Sequence, residues 1–411
     1  MSCNYQQITA ALSSCGGERA TKGIEPRIFV APHRTLVSDT IVNNTITDPL
    51  FCVFNPFIEI TGYKNTFNAG SELIQSELIG NGYKHFISFT YNGHNAEVDT
   101  FDNVTVVVIR GGVLEIYGAK NGLWKKSQSV KANDNFGMQM VELETMEGQE
   151  EDYSCYLFNN GENNLALLTA YELITGLQIG ADGKISIQVD TDKTVYCKTP
   201  NGAILTSTDG IIDTTWGGSL GSVVIAVEKS TTRFALNDDW DTGSIGSDFI
   251  GALNPNLSAD VIASSCTSLT SLSAPLATEV YASYCTSLTS LSAPLATTVV
   301  ANGSPALTSL SAPLATYIYA SSCTSLTSLS APLATTVYAN SCPALSAQSI
   351  YDALDNAYTL ALGSVTDGIL DFGGTTVVPA FDGIPSPIHP IDYLLISGYL
   401  TNNYSWTVTI A

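Results

Sequence analysis

The sequence predicts a mainly β chain: an N-terminal β-sandwich or barrel, a small second β domain, and a short β-solenoid closed by an α/β cap. Three observations predict it. A 19-residue unit recurs five times between Leu253 and Ala347, opening at Leu253, Leu272, Leu291, Leu310 and Leu329. Ahead of it, several segments alternate apolar and polar residues at the period of two that belongs to strands. Charge is spread unevenly, with a net value of −22 and no lysine or arginine after Arg233. The expected boundaries are 1–160, 161–250, 251–347 for the repeats and 348–411 for the cap. A chain of 411 residues is too long for one core.

Residues 1–25 are polar and glycine-rich and are expected as a loose arm. The start, Met1-Ser-Cys-Asn-Tyr-Gln-Gln, has neither the basic residues nor the apolar run of a secretory signal. No stretch approaches the ~18 apolar residues of a membrane span. From Arg27-Ile-Phe-Val-Ala-Pro onward the pattern is β-rich. Tyr83-Lys-His-Phe-Ile-Ser-Phe-Thr-Tyr alternates as a strand with one buried face. Asn103-Val-Thr-Val-Val-Val-Ile-Arg runs into Gly111-Gly112, a tight-turn signal, and Val113-Leu-Glu-Ile-Tyr completes a hairpin. Phe136-Gly-Met-Gln-Met-Val-Glu-Leu-Glu supplies another strand, and Gly70-Ser-Glu-Leu-Ile-Gln-Ser-Glu-Leu-Ile reads as a short helix.

These segments, with Val106 to Leu123 and the turn Met146-Glu-Gly-Gln-Glu-Glu-Asp-Tyr, resemble the tube-type structural proteins of tailed bacteriophages. The resemblance covers roughly residues 1–160. It implies a tube-like subunit that closes into a homo-oligomeric ring, with rings stacked around a DNA channel and contacts to other virion proteins. On that reading some acids of the set Glu142, Glu144, Glu147, Glu150 or Glu151 face the channel and keep DNA mobile by repulsion. Residues 161–250 are expected as a small sandwich or as the approach to the solenoid, with strands at Lys184-Ile-Ser-Ile-Gln-Val and Gly221-Ser-Val-Val-Ile-Ala-Val-Glu. Asp238-Asp239-Trp240-Asp241 lacks the ordered spacing of a calcium loop and reads as a solvated turn.

A repeat near 20 residues cannot bury its own apolar face and must stack on its neighbours. Leu272, Leu291, Leu310 and Leu329 form one column of the stack, and Leu276, Leu295, Leu314 and Leu333 another. Val261, Val280, Val299, Ile318 and Val337 form a third, followed two residues later by an alanine column, which makes V-Y-A-S a strand with Val and Ala inward. Cys266, Cys285, Cys323 and Cys342 make an inward column in which Ser304 stands for the missing member, and Leu269, Leu288, Leu307, Leu326 and Leu345 complete the core. At ~4.8 Å per coil the stack spans about 24 Å. Tyr319-Ala-Ser-Ser-Cys-Thr-Ser-Leu-Thr-Ser-Leu-Ser-Ala-Pro carries a resemblance to the BspA-type leucine-rich repeat of bacterial surface proteins. That family serves adhesion and display and shares no catalytic residues.

After the repeats, Ala347-Gln-Ser-Ile-Tyr-Asp-Ala-Leu-Asp-Asn-Ala has helical spacing and should cap the open end of the stack. Ser346 to Leu354, Gly368 to Gly374 and Trp406 to Thr409 resemble the C-terminal cap of phage and prophage leucine-rich repeat proteins. Together the resemblances imply a virion protein assembled in a bacterial cytoplasm. The rival reading is a bacterial surface adhesin or protein–protein interaction module.

Composition excludes several classes. Residues 234–411 carry twelve acids and neither lysine nor arginine, and only Asp260 and Glu279 fall within the repeats. Such a chain does not grip nucleic acid through phosphates. The nine cysteines show no C-x-x-C pair and only four histidines accompany them, so neither metal nor cofactor is expected. Reduced thiols are the expectation. No nucleophile–base pairing or phosphate loop is present, so no catalytic residue is assigned. Two carboxylates one coil apart, Asp260 and Glu279, are the closest approach to a hydrolytic pair, while Glu150-Glu151 reads as a solvated turn. Outward columns beside the valines hold Asp260, Glu279, Thr298, Tyr317, Thr336 and Ile262, Tyr281, Val300, Tyr319, Tyr338. Tyr281, Tyr317, Tyr319 and Tyr338, on an uncharged strip, suit stacking on a host surface glycan or contact with a protein.

Overall fold

A computed structural model describes residues 24–33, 41–42, 44–46, 53–54, 57–61, 66–76, 80–92, 98, 102–111, 113–131, 138–153, 155–158, 166–237, 246–375 and 393–410. The fold is mainly β. Two compact units divide at Tyr171/Glu172.

In the first unit, eleven strands form one hydrogen-bonded sheet. Its centre is Asn103–Arg110, whose six inner residues are all buried. Successive residues of this strand feed two cores: Val104, Val106 and Val108 join Phe89 and Leu143 in one, while Val107 and Ile109 join Phe29 and Tyr156 in the other. That explains a near-continuous apolar run where alternation would signal one wet face. The hairpin through Gly111 pairs Arg110 with Val113 and Val106 with Tyr117. The described part of the expected helix, 70–76, is strand. Asn68–Ser76 is a strand paired residue by residue with Gly80–Asn92 from Asn68↔Ser88 to Ser76↔Gly80. The helical propensity of Glu, Leu and Gln is a few tenths of a kcal/mol per residue, and a full ladder of backbone bonds overrides it.

The corner at 118–122 and the turn at 146–153 dock on each other. Glu151 is fully buried, and its carboxylate accepts the backbone N–H groups of Lys120 (3.2 Å) and Asn121 (2.8 Å) and the Tyr156 hydroxyl (2.9 Å). Asn121 returns its side-chain amide to the Gln149 and Glu150 carbonyls. Burial pushes the Glu151 carboxyl up, against the lowering effect of these bonds. Glu151 is therefore neither a solvated turn residue nor a channel-facing one. Gly122 makes the corner possible, because an added Cβ would fall 1.7 Å from the Asn103 side-chain oxygen. Beside it, buried His85 donates Nε2–H to the Tyr153 carbonyl (2.8 Å) and accepts the Gly118 N–H at Nδ1 (3.1 Å). Both nitrogens are thus committed to the neutral ring, and burial lowers its pKa to about 4.

In the second unit, each repeat contributes one strand to each of two sheets. Leu269–Ser273, Ser290–Ser292, Ser309–Ser311 and Ser328–Ser330 pair in parallel on one side. Asp260–Ile262, Glu279–Tyr281, Thr298–Val300, Tyr317–Tyr319 and Thr336–Tyr338 pair in parallel on the other. The register advances by one repeat at every step, as in Leu291↔Leu310↔Leu329. The valine and alanine columns, Leu272, Leu291, Leu310 and Leu329, and all four repeat cysteines with Ser304 are buried.

Three thiols donate to a carbonyl of the preceding coil, Cys285 to Ala263 (3.0 Å), Cys323 to Ala301 (3.0 Å) and Cys342 to Ala320 (3.1 Å), and Cys266 donates to the Leu236 carbonyl ahead of the repeats (3.2 Å). Ser304 does the same to Ala282 at 3.0 Å. Burial raises the thiol pKa to about 12 at Cys285 and about 11 at Cys323, so the donors stay protonated.

One column faces the other way. Leu276, Leu295, Leu314 and Leu333 are 39–48% exposed. They sit in A-P-L-A turns closed by bonds such as Ala315 N–H to the Ala312 carbonyl (3.0 Å), and the turn alanines are buried except Ala331, which is partly buried. A four-residue turn points its ends inward and its middle outward, so proline and leucine project. A second turn, C-T-S-L, buries its Cys and Leu by the same rule.

The sheets run without a break from 171–253, whose strands are mainly antiparallel, into the repeats. A single apolar cluster extends from Ile174 to Trp406, so the expected divisions at 250/251 and 347/348 have no counterpart in the core. At the far end, helix α1 (Ala347–Leu362) starts at Ser346, whose hydroxyl accepts the Ser349 N–H (3.2 Å). Ile369–Phe372 and Thr407–Ile410 extend the second sheet, and α2 (Tyr393–Tyr404) packs on α1. Trp406 is buried, its indole N–H bonded to the Val365 carbonyl at 3.2 Å.

Asp238–Asp241, the arm at 1–23, and Cys3, Cys15 and Cys52 lie outside the described residues. Cys155 is disulfide-bonded, whereas Cys197 and the four repeat cysteines are free. The expectation of reduced thiols therefore fails at Cys155.

Candidate binding surface on the repeats

The V-Y-A strands turn their middle residue inward, which sends the residues on either side to the outer face. Register aligns Ile262, Tyr281, Val300, Tyr319 and Tyr338 in one row, and Asp260, Glu279, Thr298, Tyr317 and Thr336 in the other. All are at least partly exposed except Ile262, which is buried.

The tyrosines do not act as one group. Tyr319 and Tyr338, in adjacent coils, stack with ring centroids 5.2 Å apart and planes 16° from parallel. Tyr317 is the most open of the four, at 46%. Val300 separates Tyr281 from this group, and the Tyr281 hydroxyl donates to the Glu279 carboxylate. Burial and that bond push the Tyr281 hydroxyl up to about 12, which keeps it a donor. Thus Tyr317, Tyr319 and Tyr338 form an aromatic patch at one end of the face, while Tyr281 belongs to an acidic end.

That acidic end is occupied. Asp260 accepts the Thr278 hydroxyl (2.7 Å) and Glu279 accepts Tyr281. Both carboxylates are thus held in side-chain bonds. No group of metal-binding side chains occurs among the described residues.

Two exposed features were not singled out as surface by the sequence. The leucine–proline ridge described above is one. Tyr284 is the other, 63% exposed, at φ 60°. Its ring covers Gly303 in the next coil, where an added Cβ would sit 2.8 Å from the Tyr284 Cδ1. The available signal was positional: Ser265, Tyr284, Gly303, Ser322 and Ser341 share the site before the Cys column, and all adopt positive φ.

Comparison of the chain with known protein families, with curated proteins and with solved structures finds no match.

Proposed function

We propose that this chain is a virion structural protein of the tailed-phage type. The first unit assembles with copies of itself into a ring or tube and meets other virion proteins. The second is a leucine-rich-repeat solenoid that displays a binding face to surface glycans or proteins. The observation that carries the display role is the Tyr317, Tyr319 and Tyr338 patch, an aromatic surface on repeats that contain no lysine or arginine, within a chain of net charge −22. Stacked rings offer a sugar or a partner side chain a flat apolar platform with hydroxyls at its edge. For assembly, support comes from the docking of Gly118–Gly122 on Met146–Tyr153 through Glu151, which makes one physical unit of the two segments that resemble tube proteins. No chemistry is assigned to the chain.

One observation favours the adhesin reading. The Cys155 disulfide suits an oxidising compartment more than a cytoplasm. Glycan-array binding of the purified full chain tests the display role. Binding should weaken about twofold to tenfold for Tyr319→Ala and again for Tyr338→Ala, the range of a lost aromatic contact. Unchanged binding in both variants would mean that the tyrosines serve only as strand formers.

A further inference from the structure

Ser328–Ser330 ends the nine-stranded sheet, and among the described residues no strand follows it. Helix α1 lies along this edge: the Leu329 N–H donates to the Ser349 hydroxyl at 3.3 Å, and that hydroxyl donates to the Thr327 carbonyl at 3.4 Å. Between strand and helix is a cavity of about 440 Å³, within the size range of small-ligand pockets. Serine hydroxyls from the strand, Ser328 and Ser330, line one wall. Gln348, Asp352 and Asp355 line the other, at i, i+4 and i+7 on one helix face.

The two carboxylates differ. Exposed Asp352 accepts the Gln348 amide at 2.6 Å. Asp355 is 7% exposed, and its Oδ1 meets no hydrogen-bond donor. The cavity wall contains no lysine, arginine or histidine, and no lysine or arginine follows Arg233 in the sequence. A buried carboxylate oxygen without a donor is costly for a fold to keep, and a cation is the partner that offsets most of the cost.

We propose that this cavity binds a small primary amine in its ammonium form, with Asp355 as the counter-ion and Asp352, Ser328 and Ser330 holding the polar remainder. Polyamines and amino sugars share that chemistry and fit the volume.

Isothermal titration of the full chain with putrescine, glucosamine and N-acetylglucosamine tests it. At least one of the two amines should bind, and N-acetylglucosamine, which lacks the ammonium, should not. Binding of putrescine alone marks a polyamine site, and binding of glucosamine alone marks an amino-sugar site. Asp355→Asn should weaken binding tenfold or more while raising the melting temperature of the unliganded protein, a combination a purely structural carboxylate would not give. Asp352→Asn, at an exposed position that the fold does not need, should weaken it severalfold. Absence of binding by both amines, equal binding of N-acetylglucosamine, or full affinity in a folded Asp355→Asn protein overturns the proposal. If Asp355→Asn does not fold, unchanged affinity in Asp352→Asn overturns it and a severalfold loss supports it.

Discussion

Leu310 and Leu314 are the same residue type, four positions apart in the same coil, and should respond to truncation by very different amounts. Leu310 is 1% exposed and sits in the ladder between Leu291 and Leu329. Leu310→Ala removes three methyl-sized groups from that stack, about 2.4 kcal/mol of transfer free energy at ~0.8 kcal/mol each. The cavity left behind adds to this and brings the loss to roughly 3–4 kcal/mol. Neighbouring repeats hold each other in place, so a central gap weakens both sides of the stack. Leu314 is 45% exposed on the A-P-L-A turn, and its removal opens no cavity. Leu314→Ala should cost no more than ~0.5 kcal/mol. For a unit of this size 1 kcal/mol shifts the melting point by ~2–4 °C. Calorimetry of the full chain should therefore lower the second unit's transition by roughly 6–15 °C for Leu310→Ala and by ~2 °C or less for Leu314→Ala. Equal shifts would refute the assignment of the turn.

Three further outcomes are expected. His85 titrates at about 4 when folded against 6.5 when unfolded, so the unfolded chain takes up the proton first as pH falls. Its contribution is complete above pH 6.5 and lost progressively down to about pH 4, roughly 3 kcal/mol in all, and His85→Gln should flatten that part of the first unit's denaturation-midpoint curve. Ser322 holds φ 61° without being glycine, so Ser322→Gly should stabilise the second unit by roughly 0.5–1 kcal/mol in urea titrations, and a loss would contradict the left-handed corner. Glu151→Ala strands the Lys120 and Asn121 N–H groups and should cost the first unit roughly 2–4 kcal/mol, visible as a lower first calorimetric transition.

The repeat core was legible because a fixed period places like residues in register, and Val280, Ala282, Cys285 and Leu288 each repeat with the coil. Leu276 was misplaced for a physical reason: hydrophobicity suggests burial, but the turn gives its inner corners to Ala274 and Ala277. The Asn68–Ser76 strand was illegible because its partner, Gly80–Asn92, decides its state and its local propensity does not. Glu151 looks like any surface acid until the Lys120–Asn121 corner folds over it. At the binding surface the outward rows were readable from strand alternation. The stacking of Tyr319 on Tyr338, and its separation from Tyr281 by Val300, depends on ring orientation and register together. Asp355 could not be told from Asp352 by sequence, since both lie on one helix face and only the packing of the helix on the stack buries one of them.

Negative-stain electron microscopy of the purified full chain tests the proposed assembly most directly. The account predicts rings or tubes of uniform diameter, with the repeats projecting from them, and their loss in Glu151→Ala protein. A uniform population of monomers at high protein concentration would contradict it.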